Sequence, residues 1–165
     1  MNKKIGEFMI WANENGWDIT QKSRFQLNLD SCITSRYKEI PNEYLDFLCA
    51  VKHCITPNEK TWFICEDEFN NSSDSVFKWN EYELLSLEAA RDDDSWKSEI
   101  TTWWDGYLPI VMSVDDGYSF YAIDLMNDKG AIVRGSEPEF EEVEKAANSL
   151  EEFFELLMSK SIQFQ

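Results

Sequence analysis

The feature that most constrains the fold is a pair of turn signals that separate three β-rich runs in the second half of the chain. Tyr107–Met112 is followed by Asp115-Asp116-Gly117 and then by a second run, Tyr118–Leu125. Asn127-Asp128-Lys129-Gly130 leads into the third run, Ala131–Arg134. Asp-Gly between β-rich runs is a strong short-range signal for a hairpin. Two consecutive turns of this kind predict a three-stranded antiparallel meander.

Apolar residues recur with helical spacing in four segments outside the meander. The first predicted helix has the apolar residues Ile5, Phe8, Met9 and Ala12 and is ended by Asn15-Gly16; the second is opened by Pro41 and has Tyr44, Leu45, Leu48 and Val51. The third is capped by Asn80 and has Tyr82, Leu84, Leu85 and Leu87. The last has Leu150, Phe153, Phe154, Leu157 and Met158. Ser149–Glu152 has the pattern of a capping box at the start of the last helix.

The order of these elements along the chain indicates the fold class. Thr61–Cys65 has the composition of a strand, and the alternation over Phe25–Leu29 favours a further short strand. Residues 66–75 predict a polar, acidic loop. Helix, helix, strands, meander and helix is an α+β order and not a βαβ alternation. We therefore predict a single α+β domain over residues 1–165, with a twisted, mostly antiparallel sheet and a C-terminal meander, backed by helices.

Charge is distributed unevenly along the chain. Residues 1–60 hold eight acidic and eight basic side chains, whereas residues 61–165 hold 24 acidic and 7 basic ones and carry the whole net charge of −17. Such a surface repels nucleic acid and anionic membranes, and it attracts a basic protein. The simpler alternative is that the charge keeps a protein with seven tryptophans soluble.

No segment of the sequence predicts export or a membrane span. The apolar stretch after Lys3-Lys4 is interrupted by Glu7 and Asn13, so it cannot form the core of a signal peptide. No stretch approaches the ~20 apolar residues that a transmembrane helix needs. The cysteines contain no CxxC pair and predict reduced thiols: they are Cys32, Cys49, Cys54 and Cys65. We expect a cytoplasmic protein.

Motifs for catalysis or for a cofactor are absent from the sequence. His53 lies beside Cys54 and four residues after Cys49, a spacing that matches no zinc pattern and offers no third group for Cys-His catalysis. Carboxylates occur mostly in runs such as Glu66–Glu68 and Glu141-Glu142, which are typical of solvated surface and not of a glycosidase pair. We predict no enzymatic activity, no cofactor and no metal site.

Two short segments are candidates for contact with a partner. Asp92-Asp93-Asp94 follows the third predicted helix, where carboxylates are unfavourable near the helix C-terminus unless a loop begins at Asp92. Trp103-Trp104 precedes the meander. Because neighbouring side chains of a strand point to opposite faces, one of the two indoles would lie at a rim or partner surface. The alternative is an irregular segment that buries both.

Four motifs follow one another in a characteristic order. They are the Pro-led helix Ile40–Leu48, the strand start Leu108-Pro109-Ile110, the turn and strand Asp115–Leu125, and the closing helix Ser149–Leu157. In this order and spacing, over roughly residues 36–160, they resemble the SUKH superfamily. The superfamily is named for fungal Smi/Knr-type cell-wall synthesis regulators and includes many bacterial immunity proteins. Lys52-His53-Cys54 departs from the family's Asn-Gly-Gly, so we expect the loop there to differ in shape.

The resemblance implies an α+β domain with a twisted, mostly antiparallel sheet and a non-enzymatic role. Many bacterial members neutralise a cognate toxin, often a nuclease, of a polymorphic secretion system. We hypothesise a cytoplasmic immunity protein whose carboxylates occupy the Lys/Arg surface of a basic toxin domain. The residues predicted to supply its binding surface are Asp92, Asp93, Asp94, Trp104, Asp105, Asp115 and Asp116. A regulatory interaction module and a carbohydrate-handling protein, with Trp beside carboxylates, are the alternatives.

Overall fold

The computed structural model describes residues 2–164 of the chain. Its strands are β1 (Asp18–Gln21), β2 (Val51–Ile55), β3 (Thr61–Phe63), β4 (Tyr107–Ser113), β5 (Ser119–Asp124), β6 (Ile132–Ser136) and β7 (Glu144–Ala147). Its helices are α1 (Lys3–Glu14), α2 (Ser31–Arg36), α3 (Asn42–Ala50), α4 (Glu66–Phe69), α5 (Glu81–Ala89), α6 (Asp94–Asp105) and α7 (Leu150–Met158).

The strands form one antiparallel sheet in the order β1-β2-β3-β4-β5-β6-β7, so each strand pairs with its neighbours along the chain. The predicted meander is the β4-β5-β6 part, in which Val111, Tyr121 and Arg134 are cross-strand partners. Asp116 and Gly117 have φ angles of 55° and 88°, which a tight hairpin turn requires. The predicted α+β fold with a mostly antiparallel sheet is confirmed.

Helices cover both faces of the sheet. Phe120 and Tyr121 are neighbours in β5 and therefore point to opposite faces. Tyr121 packs on Phe153 of α7, with ring centroids 4.9 Å apart, on the side that we call the α7 face. Phe120 packs on Trp104 of α6 at 5.0 Å, on the side that we call the α6 face. Burial on both faces explains why every residue of β5 is buried.

The α7 face carries an aromatic core that joins three helices to the sheet. Phe63 of β3 contacts Phe8 of α1 at 5.6 Å between centroids, Phe47 of α3 at 5.0 Å and Phe154 of α7 at 5.9 Å. All four rings are at most 1% exposed. Because aromatic side chains bury large apolar areas, this cluster explains how helices from both ends of the chain meet on one side of the sheet.

The predicted start of the last helix is confirmed. The Ser149 hydroxyl accepts a hydrogen bond from the Glu152 backbone N–H at 3.1 Å, as in a capping box. The Glu152 carboxylate in turn accepts from the backbone N–H of Asn148 at 2.7 Å, one residue before the usual donor. Both groups are local in sequence, which is why the pattern was sufficient to predict the helix start.

The strand predicted over Phe25–Leu29 is wrong. The backbone N–H of Asn28 donates to the Glu66 side chain at 2.9 Å, and that of Asp30 donates to the Asn70 side chain at 2.8 Å. The Gln26 backbone N–H donates to the Arg24 carbonyl at 2.9 Å, so the segment bonds locally and to side chains that follow β3, and not to a neighbouring strand.

Three further segments differ from their predictions. Helix α3 ends at Ala50, and Val51 begins β2 because it pairs with Gln21 of β1. Lys52-His53-Cys54, expected in a loop, therefore lie inside a strand. Residues 66–75, predicted as a polar loop, begin with the one-turn helix α4. The segment that ends in the two adjacent tryptophans is the helix α6, so alternation along a strand does not apply to it.

Candidate partner-binding surface

The acidic triplet lies at the junction between α5 and α6. Helix α5 ends at Ala89 and α6 begins at Asp94, so Asp92 and Asp93 lie in the connecting loop and Asp94 is the first residue of α6. The Asp93 carboxylate accepts a hydrogen bond from the Trp96 backbone N–H at 3.0 Å and caps α6. Of the two alternatives for this triplet, the structure shows the loop, and the negative charges lie near a helix N-terminus, where they are favourable.

On helix α5 a charged side chain is buried while two leucine side chains are exposed to water. Glu83 is 4% exposed, whereas Leu84 and Leu85 are 36% and 38% exposed. On α6, Trp96 is 48% exposed although it continues the stripe of the buried residue Ile100 at the i, i+4 spacing. Large apolar side chains in contact with water at one place indicate a surface that another molecule covers.

Leu85 and Trp96 border one shallow hollow of about 610 Å³ at the end of the α5–α6 hairpin. Among residues 2–164, Arg91 is the only cation that lines it, and it lies 3.0 Å from Glu88 and 3.9 Å from Asp92, so the carboxylates outnumber the positive charge. We call this place the corner surface and define it by six residues: Leu85, Glu88, Asp92, Asp93, Asp94 and Trp96. It combines apolar anchors with a rim of negative charge, as protein-binding hot spots do.

An ion-pair network holds the hairpin that carries the corner surface. Arg36 of α2 donates to both carboxylate oxygens of Glu83 at 2.8 Å and, through Nε, to Asp105 at 2.7 Å. Burial lowers the pKa of Arg36, but the hydrogen bonds to Glu83 and Asp105 and the neighbouring charges together outweigh it, so the pKa is raised and the guanidinium keeps its charge. The network joins the start of α5 to the end of α6 through α2.

A second contact ties the same two helices to the segment before β7. The Glu141 carboxylate accepts from the Ser86 hydroxyl at 2.8 Å and from the indole N–H of Trp104 at 2.9 Å. Because residues of α5, of α6 and of a third segment share this carboxylate, the hairpin is fixed against the sheet. These contacts therefore hold the helices that carry the corner surface in fixed positions before any partner binds.

Trp104 does not belong to a partner-binding surface, and that prediction is wrong. Its side chain is 2% exposed, because it packs on Phe120 of β5 on the α6 face. The partly exposed member of the pair is Trp103, which stacks on Tyr107 with ring centroids 4.1 Å apart. On a helix the two side chains differ by about 100° in direction, so both reach the sheet side of α6.

The other predicted contact residues lie in three separate places. Asp92, Asp93 and Asp94 share the corner surface. Asp105 lies at the opposite end of the 12-residue helix α6, where its carboxylate binds Arg36. Asp115 and Asp116 lie in the β4–β5 loop, and Asp115 accepts from the Asn58 side chain at 3.3 Å. The predicted residues therefore do not form one continuous patch.

Sequence reasoning missed Leu85, Glu88 and Trp96 as candidate contacts. Helical spacing assigned Leu85 to the buried side of its helix, and no pattern in the sequence assigned Trp96. The available signal was that Trp96, a residue type enriched in binding hot spots, follows the acidic triplet closely in sequence. Its exposure depends on how α5 and α6 pack, which the pattern does not contain.

The residues considered for catalysis or metal binding are not assembled into a site. His53 lies 3.1 Å from Asp18, whereas Cys54, its neighbour in β2, is 1% exposed and points to the other face. Burial raises the pKa values of the Cys54 and Cys65 thiols well above their usual range, which keeps both protonated. Within residues 2–164 no group of three or more His, Cys, Asp or Glu side chains is arranged to hold a metal ion.

None of the helices described is both long and apolar enough to cross a membrane.

Comparison with known proteins identifies one family. Residues 35–156 of the 165-residue chain match the model of the SMI1 / KNR4 family (SUKH-1). No curated protein and no solved structure matches the chain. The matched range contains β2–β7, α3–α6 and most of α7, and with them every residue of the corner surface.

Proposed function

Because the chain belongs to the SMI1 / KNR4 family (SUKH-1), we propose that it is a non-enzymatic, cytoplasmic immunity protein that binds and neutralises a basic toxin domain. Membership of this family supports a role in protein–protein interaction, either in immunity or in regulation. Within that role, the corner surface is the proposed contact with the toxin.

The observation that carries the proposal is the exposed indole of Trp96 within a group of carboxylates on a fixed helical hairpin. Trp96 is 48% exposed and shares its hollow with Leu85, Glu88, Asp92 and Asp93. Tryptophan is strongly enriched among the few residues that dominate binding energy. An apolar anchor surrounded by charge gives affinity at the centre and selectivity at the rim.

The charge of the whole chain favours the same class of partner. A toxin that acts on nucleic acid holds phosphates with lysine and arginine side chains. A protein with net charge −17 attracts such a surface over a distance of about a Debye length, and the carboxylates of the corner surface pair with it on contact. Binding there would cover the basic surface that the toxin needs for its substrate.

The proposal is tested by capture of partners from the native organism at low and moderate salt, with identification by mass and a toxicity assay. The expected partner is one basic protein whose expression alone arrests growth and whose effect is abolished by co-expression of this chain. A captured basic protein that is not toxic would replace immunity with regulation. A toxic partner that this chain binds without restoring growth would also contradict neutralisation.

We expect Trp96→Ala to raise the dissociation constant for the toxin by about 30-fold or more, which is the effect of losing a hot-spot tryptophan. The free energy of unfolding should change by less than about 1 kcal/mol, because about half of the Trp96 side chain is already exposed to water. Calorimetric titration and urea denaturation measure the two quantities. The control is Ile10→Ala, which removes a 62% exposed side chain of α1; equal effects of the two variants would refute the corner surface.

We expect the triple variant Asp92→Asn, Asp93→Asn, Asp94→Asn to slow association with the toxin by about tenfold at low salt and to reduce its salt dependence. Asparagine also caps helices, so α6 should keep its start. Stopped-flow kinetics at several salt concentrations measures the effect.

The matched control for this variant removes three exposed carboxylates elsewhere, by Glu142→Gln, Glu144→Gln and Glu151→Gln. Both triple variants change the net charge equally, so a difference in their association rates isolates the location of the charge. If the two variants slow association equally, only the overall charge acts and the corner surface is not the contact.

A further inference from the structure

The α6 face of the sheet is covered differently at its two ends. Over β5, the rings of Tyr82 and Trp104 pack on Phe120. Trp62 of β3 lies on the same face, because it pairs with Met112, which in turn pairs with Phe120. The one aromatic ring against Trp62 belongs, within residues 2–164, to Phe77 of the loop before α5, at 5.7 Å between centroids.

Beside Trp62 the α6 face borders an open groove of about 640 Å³. Thr20, Ile55 and Trp62 contribute from β1, β2 and β3, and Ser72–Phe77 forms the opposite wall. We call this space the sheet groove. Ile55 and Trp62 are only partly buried, and Val76 in the wall is 88% exposed. The groove therefore presents apolar and aromatic surface to water at a place away from the α5–α6 hairpin.

The charges that line the sheet groove are mostly negative. Its carboxylates are those of Glu59, Asp67, Glu68 and Asp74, and Lys52 lies 3.1 Å from Asp67. The remaining carboxylates, Glu59, Glu68 and Asp74, form no ion pair within the described residues. A ligand that fits this groove therefore carries positive charge as well as apolar surface.

We propose that the sheet groove binds an extended peptide segment of a protein partner in which arginine or lysine alternates with apolar residues. In an extended chain every second side chain points the same way, so one set contacts Ile55 and Trp62. The other set reaches Glu59 and Asp74 at the rim. This binding is independent of the corner surface and does not require the partner to be a toxin.

Tryptophan beside carboxylates also occurs in carbohydrate sites, but the groove carboxylates favour the peptide. Asp67 is paired with Lys52, and Glu68 accepts a hydrogen bond from the Cys65 backbone N–H at 2.8 Å. The two best-buried carboxylates are thus engaged within the protein, whereas Glu59 and Asp74 are exposed. Exposed carboxylates at a rim suit mobile cationic side chains better than a sugar ring.

The test is a titration of the ¹⁵N-labelled full chain with the peptide acetyl-Arg-Val-Arg-Val-Arg-amide, followed by NMR. Saturable shifts are expected at the amides of Ile55, Trp62 and Val76. The matched peptide with glutamate in place of arginine is expected to cause none. Shifts that lie only at the corner surface, equal binding of both peptides, or no shift at millimolar peptide would overturn the proposal, as would shifts at Trp62 with a neutral hexasaccharide.

Two variants locate the peptide on the protein. Trp62→Ala is expected to weaken binding by about tenfold through loss of the apolar contact with the peptide. Because Trp62 is partly buried, its replacement can also disturb the fold. The double variant Glu59→Gln, Asp74→Asn avoids this problem, since it changes only exposed side chains. It is expected to weaken binding about threefold. Trp96→Ala should leave binding unchanged. Binding that ignores the double variant would refute the role of the rim carboxylates.

Discussion

Replacing Arg36 with alanine is expected to lower the free energy of unfolding by about 3–5 kcal/mol, because it leaves a buried carboxylate without its partner. The side chain of Glu83 is 5% exposed and accepts two hydrogen bonds of 2.8 Å from the guanidinium. The same substitution releases Asp105, which lies half-exposed at the C-terminus of α6, where negative charge is unfavourable. Urea denaturation followed by far-ultraviolet circular dichroism measures the loss.

The control is the double variant Arg36→Met, Glu83→Leu, which removes both charges and keeps apolar volume between α2 and α5. It should recover most of the lost stability, because much of the penalty comes from the isolated charge and not from the missing pair. A double variant as unstable as Arg36→Ala would show that packing, and not the unpaired carboxylate, sets the cost. Since the pair supports the α5–α6 hairpin, Arg36→Ala should also weaken toxin binding without touching the corner surface.

Replacing Trp104 with alanine is expected to lower the free energy of unfolding by about 3–5 kcal/mol through the cavity that it leaves. The indole is 2% exposed, packs on Phe120 and donates to Glu141 at 2.9 Å. The free energy of unfolding of a native domain is only about 5–15 kcal/mol, so the variant loses a large part of its stability. Thermal and urea denaturation of the purified chain measure the change.

The three tryptophans of α6 provide the internal control. Trp96→Ala should have little effect on stability, Trp103→Ala an intermediate one and Trp104→Ala the largest, following their exposure. Trp104→Phe keeps most of the apolar volume and should lose about 1–3 kcal/mol, mainly from the unmade hydrogen bond to Glu141. If Trp104→Phe weakened toxin binding while its stability was unchanged, the assignment of Trp104 to the core would fail.

Predictions that depended on residues close in sequence were the accurate ones. The β4–β5 turn needs positive φ at Asp116 and Gly117, and the start of α7 needs a side-chain acceptor at Ser149. Each requirement is met within a few residues, so the amino-acid types alone indicate it. The same holds for α1, whose apolar residues repeat with helical spacing.

Predictions that depended on partners distant in sequence failed. Residues 25–29 do not form a strand: the backbone N–H groups of Asn28 and of the following Asp30 bind the side chains of Glu66 and Asn70, about 40 residues away. Val51 was predicted to lie in the helix that Pro41 opens, but it lies in β2 because it pairs with Gln21 of β1. The contact between Arg36 and Asp105 spans 69 residues and has no local pattern.

The amino-acid types were sufficient to predict the α+β class, the meander, the start of α7 and the uneven charge along the chain, whereas the predicted cap Asn80 makes no side-chain hydrogen bond at the start of α5. Tertiary packing sets the burial of Trp104 and the exposure of Trp96, and it separates Asp92–Asp94 from Asp105 and from Asp115-Asp116. The physical reason is the range of the interactions. Turns and caps are satisfied by neighbouring backbone groups, whereas exposure is set by which helix faces pack on which part of the sheet.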